Sequence, residues 1–398
     1  MSGVKRRSFL AGTAAVGVAM MAPRTARAAT GIPLTREVHR VVVIGSGFGG
    51  GVTALRLAEA GGVPVTLLER GIRWQTGPNA ETFPHPASPD KRILWHQSNP
   101  TLFGRPAIFE PYAGLLETVT GENMTAICAA GVGGGSLVYQ GMTLQPEEAV
   151  FNTHFPEELD YARMGRVHYP RVARMLQVET APDELISSPN YEAARVFARN
   201  ATRSGLPVSK IPMPIDWNFA LAELRGGEMK PSYTNGDGAL GVNNGGKHSV
   251  DVTYIAAAEA TGLVNVETLH QVTDVERAAD GRWRVYVDRT DISGKILENK
   301  ILTTDALVMA AGSMNTTKLL VRAAATGGGS RICRTSSAQG GGGPMPIGST
   351  SGRISPRTSV RRRAGRSSTA AGTGTTRIMR SPSFRRRSRP LRSTLTAR

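Results

Sequence analysis

The sequence predicts an α/β fold, and three observations predict it. Val41-Val42-Val43-Ile44 is a short β-branched run, as a strand buried on both faces requires. A Gly-x-Gly-x-x-Gly follows at once, at Gly45, Gly47 and Gly50, and opens a helical stretch from Thr53 to Ala60 that Gly61-Gly62 ends. Pro64 to Leu68 then reads as a second strand running into Glu69. Strand, glycines, helix, strand and acid in this order, within about thirty residues, form the βαβ unit that holds a dinucleotide.

Each part has a physical reason. Gly45 permits the tight turn, Gly47 lets a pyrophosphate approach the backbone, and Gly50 lets helix and strand pack closely. The helix N-terminus faces the phosphates, and Glu69 can accept from the adenosine ribose hydroxyls. The alternative is a glycine-rich turn in an ordinary α/β domain, and the motif alone does not separate FAD from NAD.

Length and charge bound the rest. A chain of 398 residues is long enough for two domains. The net charge of +17 points toward nucleic acid until its distribution is read. Residues 328–398 hold 16 Arg and no Lys, Asp or Glu, which leaves 32 basic against 31 acidic residues in 1–327. The body is nearly neutral, and the Arg clusters of the tail have no aromatic interleaving for base stacking, so no specific nucleic-acid partner is expected. Cys128 and Cys333 make no disulfide framework, and Cys128 is expected to be a small buried residue. No metal site is expected.

The N-terminus reads as a targeting signal. Lys5-Arg6-Arg7-Ser8-Phe9-Leu10 precedes a mild apolar run from Ala11 to Ala22, and Ala26-Arg27-Ala28 fits a small-x-small cleavage site. The Arg6-Arg7 pair ahead of Phe9-Leu10 resembles a twin-arginine export signal, a route that carries folded proteins. An ordinary secretory signal or a basic disordered N-terminus are the alternatives. The apolar run is too short and too rich in Gly and Ala to span a bilayer, so a soluble, secreted protein is expected.

Downstream, residues 72–125 carry many prolines and read as long surface excursions. Gly131-Val132-Gly133-Gly134-Gly135-Ser136 follows, where consecutive glycines leave a bare backbone for a large flat ligand to lie against. A flexible linker is the alternative, disfavoured by the apolar residues after it. Tyr191 to Ser204 has helical spacing, with Ala194, Phe197, Ala198 and Ala201 on one face. Asp251 to Thr261 reads as a helix. Val264 to Leu269, Gln271 to Val275, Trp283 to Val287 and Lys300 to Leu302 read as strands, antiparallel in the predicted order. Ala306 to Ala311 is a further buried run, and a helix resumes from Asn315 to Ala325. A lone histidine such as His248 is given no role.

That order is not the layout of a simple NAD dehydrogenase. The chain resembles the flavoprotein cholesterol oxidases with dissociable FAD, within the glucose-methanol-choline oxidoreductases. The residues that carry the resemblance are Gly45-Ser46-Gly47-Phe48-Gly49, Leu68-Glu69-Arg70-Gly71, Gly131 to Val138 with Gly141-Met142, Tyr169-Pro170-Arg171, Gly246-Lys247-His248-Ser249-Val250-Asp251, Thr268-Leu269-His270-Gln271-Val272, and Gly312-Ser313 with Leu319 to Ala323. They stand in order across residues 38–327.

The resemblance implies FAD as cofactor, with a sterol and O2 as partners. The reaction would oxidise a 3β-hydroxysteroid to the 3-ketone, give hydrogen peroxide, and move the Δ5 double bond to Δ4. Another FAD-dependent alcohol dehydrogenase or oxidase, or a non-catalytic FAD-binding remnant, are the alternatives. Phe48, Gly49 and Glu69, with the glycines at 45, 47 and 50, would hold the adenosine diphosphate half. Gly134, Gly135, Tyr139 and Met142 would approach the ribityl and flavin region, and Val272 the adenine by its backbone. Tyr139-Gln140 stands where some members have Asn-Gly. A monomer is expected, with at most transient membrane contact to extract sterol.

The resemblance also implies a Rossmann-like FAD domain built from separated segments at 38–71, 95–173 and 248–327. Residues 72–94 and 174–247 would belong to a second, mainly antiparallel-sheet substrate domain, largely missing here. The signal would occupy 1–28 and the aberrant tail 328–398. The family's catalytic Glu, His and Asn lie beyond residue 327, and the tail contains none of the three. No catalytic residue is therefore assigned. The tail is expected to be disordered, because it has too few large apolar residues to offset the entropy of ordering. Its bias to Arg, Gly, Ser, Thr, Ala and Pro is that of GC-rich DNA read out of frame.

Overall fold

The computed structural model describes residues 31–325, apart from 97–100, 103–104, 107, 122 and 227–228. The predicted signal at 1–28 and the Arg-rich tail at 328–398 lie outside the described residues.

The βαβ unit forms as its sequence requires. Strand β1 (Leu34–Ile44) ends at the glycine turn, helix α1 (Phe48–Gly61) follows, and β2 (Val65–Leu68) returns beside β1. Gly62, in the left-handed region at φ 58°, stops α1 by donating its N–H to Ala58 O at 3.2 Å. Four later strands complete a six-stranded sheet: β5 (Val264–Glu267), β6 (His270–Arg277), β7 (Trp283–Thr290) and β8 (Ile296–Met309). The order across the sheet is β6-β7-β8-β1-β2-β5. Strands β8, β1, β2 and β5 run parallel, while β7 and β6 continue the sheet as an antiparallel meander.

The alternation along β1 explains its β-branched run. Val41 and Val43 turn to one face, where Ala54, Leu55 and Ala58 of α1 meet Val250, Tyr254 and Ile255. Those last residues precede and form a π-helical turn (Asp251–Ile255) that leads into α2 (Ala256–Ala260). Val42 and Ile44 turn to the other face, against Leu319 and Ala323 of α3 (Gly312–Ala325). Both faces are covered, so a continuous apolar run is what the strand needs.

The structure departs from the sequence reading in four places. Residues 72–125 are not merely surface excursions: Trp74, Phe83, Ile93, Leu94, Leu115 and Leu116 are buried with Leu137 and Leu240 in a separate core. Prolines remove periodicity there but not the drive to bury large apolar side chains, and isolated backbone bonds such as Leu115 N–H to Arg92 O at 2.8 Å replace a ladder. Second, β5 is parallel to β2 and not part of the antiparallel set, whereas β6, β7 and the 300–302 stretch of β8 pair antiparallel in order, β8 being parallel to β1 on its other side. Third, 300–302 and 306–309 fall in one 14-residue strand, β8, in which Ala306 is exposed and Leu307 to Met309 are half-buried rather than buried; the cleft begins just after it, at Ala310. Fourth, the helix Glu192–Arg203 forms but buries none of its residues, and Phe197 is 71% exposed.

Candidate cofactor site

The sheet reverses its direction of growth at β1, with β2 on one side and β8 on the other. In open α/β sheets, ligands bind outside the carboxyl ends of the strands at such a point. A cleft of about 460 Å³ lies there, walled by the ends of β1, β2 and β8 and the residues that follow them.

Glycines make the wall. At Gly45, φ is +94° and a Cβ would stand 2.5 Å from Ala310 O, so the turn can pass under β8 only with hydrogen there. The second glycine stretch meets the first, since a Cβ on Gly134 would lie 2.8 Å from Gly47 Cα. Gly135 faces open space. The two glycine motifs, 87 residues apart at Gly47 and Gly134, are therefore one surface of bare backbone.

Glu69 ends β2 at the floor of this surface and is 6% exposed. One carboxylate oxygen accepts from Gly71 N–H at 2.8 Å and Gly131 N–H at 3.2 Å, and the other from the Ser46 amide and hydroxyl. It ties both glycine loops to β2. All four acceptor directions of the carboxylate are occupied, so a ribose hydroxyl would have to displace one, and the rotatable Ser46 hydroxyl is the one able to move.

Of the residues expected from sequence, Gly45, Gly47, Phe48, Gly49, Glu69, Gly134, Gly135 and Val272 all line the cleft. Gly50 stands behind it, where a Cβ would lie 1.8 Å from Gly45 O. Tyr139 does not line the cleft; its ring meets Phe48 edge-on, with centroids 5.3 Å apart. Met142 is 59% exposed and stands apart from the cleft. Val272 is the last residue of β6 before a bulge and pairs with Val287. His248 makes a backbone contact only, Nδ1 to Leu176 O at 3.2 Å.

Sequence reasoning missed the polar rim. Arg70 lines the cleft, lies 4.9 Å from the Trp95 ring centre, and pairs with Glu117 at 2.7 Å. Asn315 donates to the same Glu117 oxygen at 3.1 Å, and Lys318 also faces the cleft. Burial works to raise the Glu117 carboxyl, but Arg70 and Asn315 together hold it below the usual carboxylate value. Cys128, expected to be buried, is half-buried and lines the cleft; burial, then Glu117, pushes its thiol up, which does not suit a nucleophile. Burial pushes the His270 imidazole down; its Nδ1–H donates to Thr268 O at 2.7 Å. The strand-end rule, applied to the run ending at Ala311, would have pointed to Ser313, Asn315 and Lys318.

The first turn of α1 carries no acidic residue and no side-chain cap, so its free N–H groups are left for an anion. Bare backbone, a buried acid and a free helix N-terminus fit the adenosine diphosphate half of a dinucleotide. Residues 107–348, well over half of the chain, match the family model described as GMC oxidoreductase. The chain belongs to that family. FAD is the cofactor of GMC oxidoreductases, and the cleft's residues suit its adenosine diphosphate half.

Among curated relatives, a cholesterol oxidase of Mycobacterium tuberculosis is 29% identical over 294 residues, 70% of this chain and 46% of that protein. A cholesterol oxidase of Acinetobacter baumannii is 28% identical over 249 residues, 59% of this chain and 41% of that protein. A long-chain-alcohol oxidase of Arabidopsis thaliana is 24% identical over 292 residues, 70% of this chain and 34% of that protein. The chain spans less than half the length of these relatives.

Proposed function

We propose that this GMC oxidoreductase chain descends from an FAD-dependent cholesterol oxidase, and that its described part is the cofactor-binding portion of that enzyme. The observation that carries the reading is the meeting of the two glycine motifs at the carboxyl end of β1. In this reading the N–H groups at Gly47 to Gly49 hold the pyrophosphate and Glu69 holds the adenosine ribose. The backbone at Val272 faces the adenine. Phe48, backed by Tyr139, walls the side toward the flavin, with Gly134 and Gly135 beneath. Bound FAD supplies the hydride acceptor for alcohol oxidation.

The substrate class in this reading is a 3β-hydroxysteroid, oxidised with O2 to the 3-ketone and hydrogen peroxide, with Δ5 to Δ4 isomerisation; the cholesterol oxidase names of the relatives and the family-like sequence blocks support it. A different alcohol is the second reading, favoured by the likeness to the plant long-chain-alcohol oxidase. We read the protein as a secreted monomer that touches membranes only transiently. Replacing Arg6 and Arg7 by Lys keeps the precursor in the cytoplasm if export is by the twin-arginine route; normal export of the Lys-Lys form overturns that route.

Residues 328–398 contain no Glu, His or Asn to act as proton carriers near a sterol hydroxyl. Each such group contributes typically ~10²–10⁴ in rate. The expected outcome for the purified chain is weak FAD binding and no cholesterol-dependent peroxide. Peroxide release on cholesterol overturns the loss of activity, and release on a long-chain alcohol alone transfers the substrate reading to the second class. A chain that binds no FAD at all removes the cofactor reading itself.

A further inference from the structure

The stretch Lys247 to Asp251 carries part of the family resemblance yet has no role in the site as described. Lys247 is a charged residue only 6% exposed. Its Nζ donates to Leu137 O at 2.9 Å, Tyr139 O at 2.6 Å and Gly238 O at 3.3 Å. The same atom stands 5.0 Å from the centre of the Tyr139 ring. Three carbonyl oxygens match the three N–H groups of an ammonium, and a neutral amine has one donor too few.

The residues after it grip the same loop. The Val250 N–H donates to Ser136 Oγ at 2.9 Å, and Ser136 Oγ–H donates to Gly133 O at 2.7 Å. Asp251 stands beside Gly133, whose Cβ would meet its Oδ1 at 3.2 Å. Residues 247–251 therefore hold the glycine loop at both ends, by Ser136 and Gly133 on one side and by Leu137 and Tyr139 on the other. Tyr139 in turn packs edge-on against Phe48, at 88° between ring planes, and Phe48 lines the cleft.

We propose that Lys247 is a positioning residue for the cofactor. Its ammonium pins the segment Leu137–Tyr139, and through Tyr139 it fixes where Phe48 stands against the flavin side of the cleft. The inference rests on the FAD reading above. Lys247 does not line the cleft, so its effect there passes through the loop. Burial pushes its amine down to about 7, opposed by Asp251. The three carbonyls and the Tyr139 ring face the ammonium and favour the charged form, which accounts for a buried lysine here in place of an apolar residue.

The test uses the full chain and compares Lys247→Met with Lys247→Arg. Two quantities are read: amide hydrogen exchange at residues 137–139 without added FAD, and the FAD dissociation constant from flavin fluorescence. In Lys247→Met, exchange at 137–139 rises about tenfold or more while β1 stays protected, and the FAD constant weakens by about tenfold, as loss of charged hydrogen bonds implies. Lys247→Arg keeps both readings within about threefold of the parent. Unchanged exchange and unchanged FAD affinity in Lys247→Met overturn the proposal, and so does equal deprotection of β1, which marks a general stability role. Should Lys247→Met not fold, Lys247→Gln is read in its place, with the same expected direction and the same overturning results. A parent chain that binds no FAD while Lys247→Met still loosens 137–139 defeats the cofactor reading and leaves the pin intact. A pin without any change in FAD affinity defeats only its role in positioning.

Discussion

Gly50 and Gly135 belong to the two glycine motifs for opposite reasons. A Cβ at Gly50 would stand 1.8 Å from Gly45 O, a backbone atom that cannot move without opening the turn. A Cβ at Gly135 meets nothing within 4 Å and would project into the cleft. Gly50→Ala should therefore lower folding stability by about 1–3 kcal/mol or more, as overpacking does. Gly135→Ala should leave the unfolding free energy from urea titration within about 0.5 kcal/mol, as surface changes do, but weaken FAD binding. Equal stability in both variants would mean that the two loops pack differently from this description. The first glycine spacing was legible in sequence because the strand-turn-helix pattern fixes it, as the contact of Gly50 with Gly45 shows, whereas the demand of Ala310 on Gly45 and of Gly47 on Gly134 comes from distant chain. Asn315 and Lys318 were open to the strand-end rule and went unread, whereas the pairing of Arg70 with Glu117 was not legible, because a charged residue after a strand looks like any surface charge until folding sets it beside the cleft.

At the scale of elements, the Arg70–Glu117–Asn315 cluster joins three pieces of chain at the cleft rim. Arg70 follows β2, Glu117 lies on β3 (Leu116–Thr120), and Asn315 is in the first turn of α3. The Glu117 side chain is 10% and the Arg70 side chain 16% exposed, so removing one charge leaves the other poorly solvated. Glu117→Gln should lower stability at pH 7 by about 3 kcal/mol. The sign with pH follows from the lowered Glu117 pKa. A carboxylate held down in the folded state stabilises above the unfolded value of about 4.3, and that stabilisation is lost as pH falls through the folded value. The gap between parent and Glu117→Gln should thus be full at pH 7, begin to close as pH falls below about 4.3, and vanish only once pH has passed the lowered folded value. A gap that stays constant with pH excludes the ion pair as its cause. The elements themselves were mostly legible: β1, α1 and β2 from periodicity, β6 and β7 from alternation. The direction of β5 was not, because its partner β2 lies about two hundred residues earlier and no local pattern encodes that pairing. Nor was the exposure of Phe197, since a helical stripe states which residues share a face and not whether anything covers it.

At the scale of the whole molecule, the charge balance changes abruptly near residue 327. Residues 1–327 carry 32 basic and 31 acidic residues, whereas 328–398 carry 16 Arg and no acid or Lys. A folded oxidoreductase segment has no physical need for such a bias, because like charges at this density repel and leave little apolar surface to bury. The last block of the family resemblance, Gly312-Ser313 with Leu319 to Ala323, stands just before the change. The family match reaches residue 348, about twenty residues past the change in composition, so family pattern and aberrant composition overlap there. The two views predict different DNA. If a small insertion or deletion lies within the codons for about 327–331, re-sequencing should find it. The corrected phase should then give a longer open frame of mixed acidic and apolar sequence, with a Glu, a His and an Asn in a sheet-forming region. The same gene, expressed in that phase, should hold FAD tightly and release peroxide on a sterol. If re-sequencing returns the present frame, or the corrected frame meets a stop within a few dozen codons, the Arg-rich segment is genuine protein. Residues 328–348 then belong to the family match as they stand, and the missing acid–base groups must be sought elsewhere in the chain.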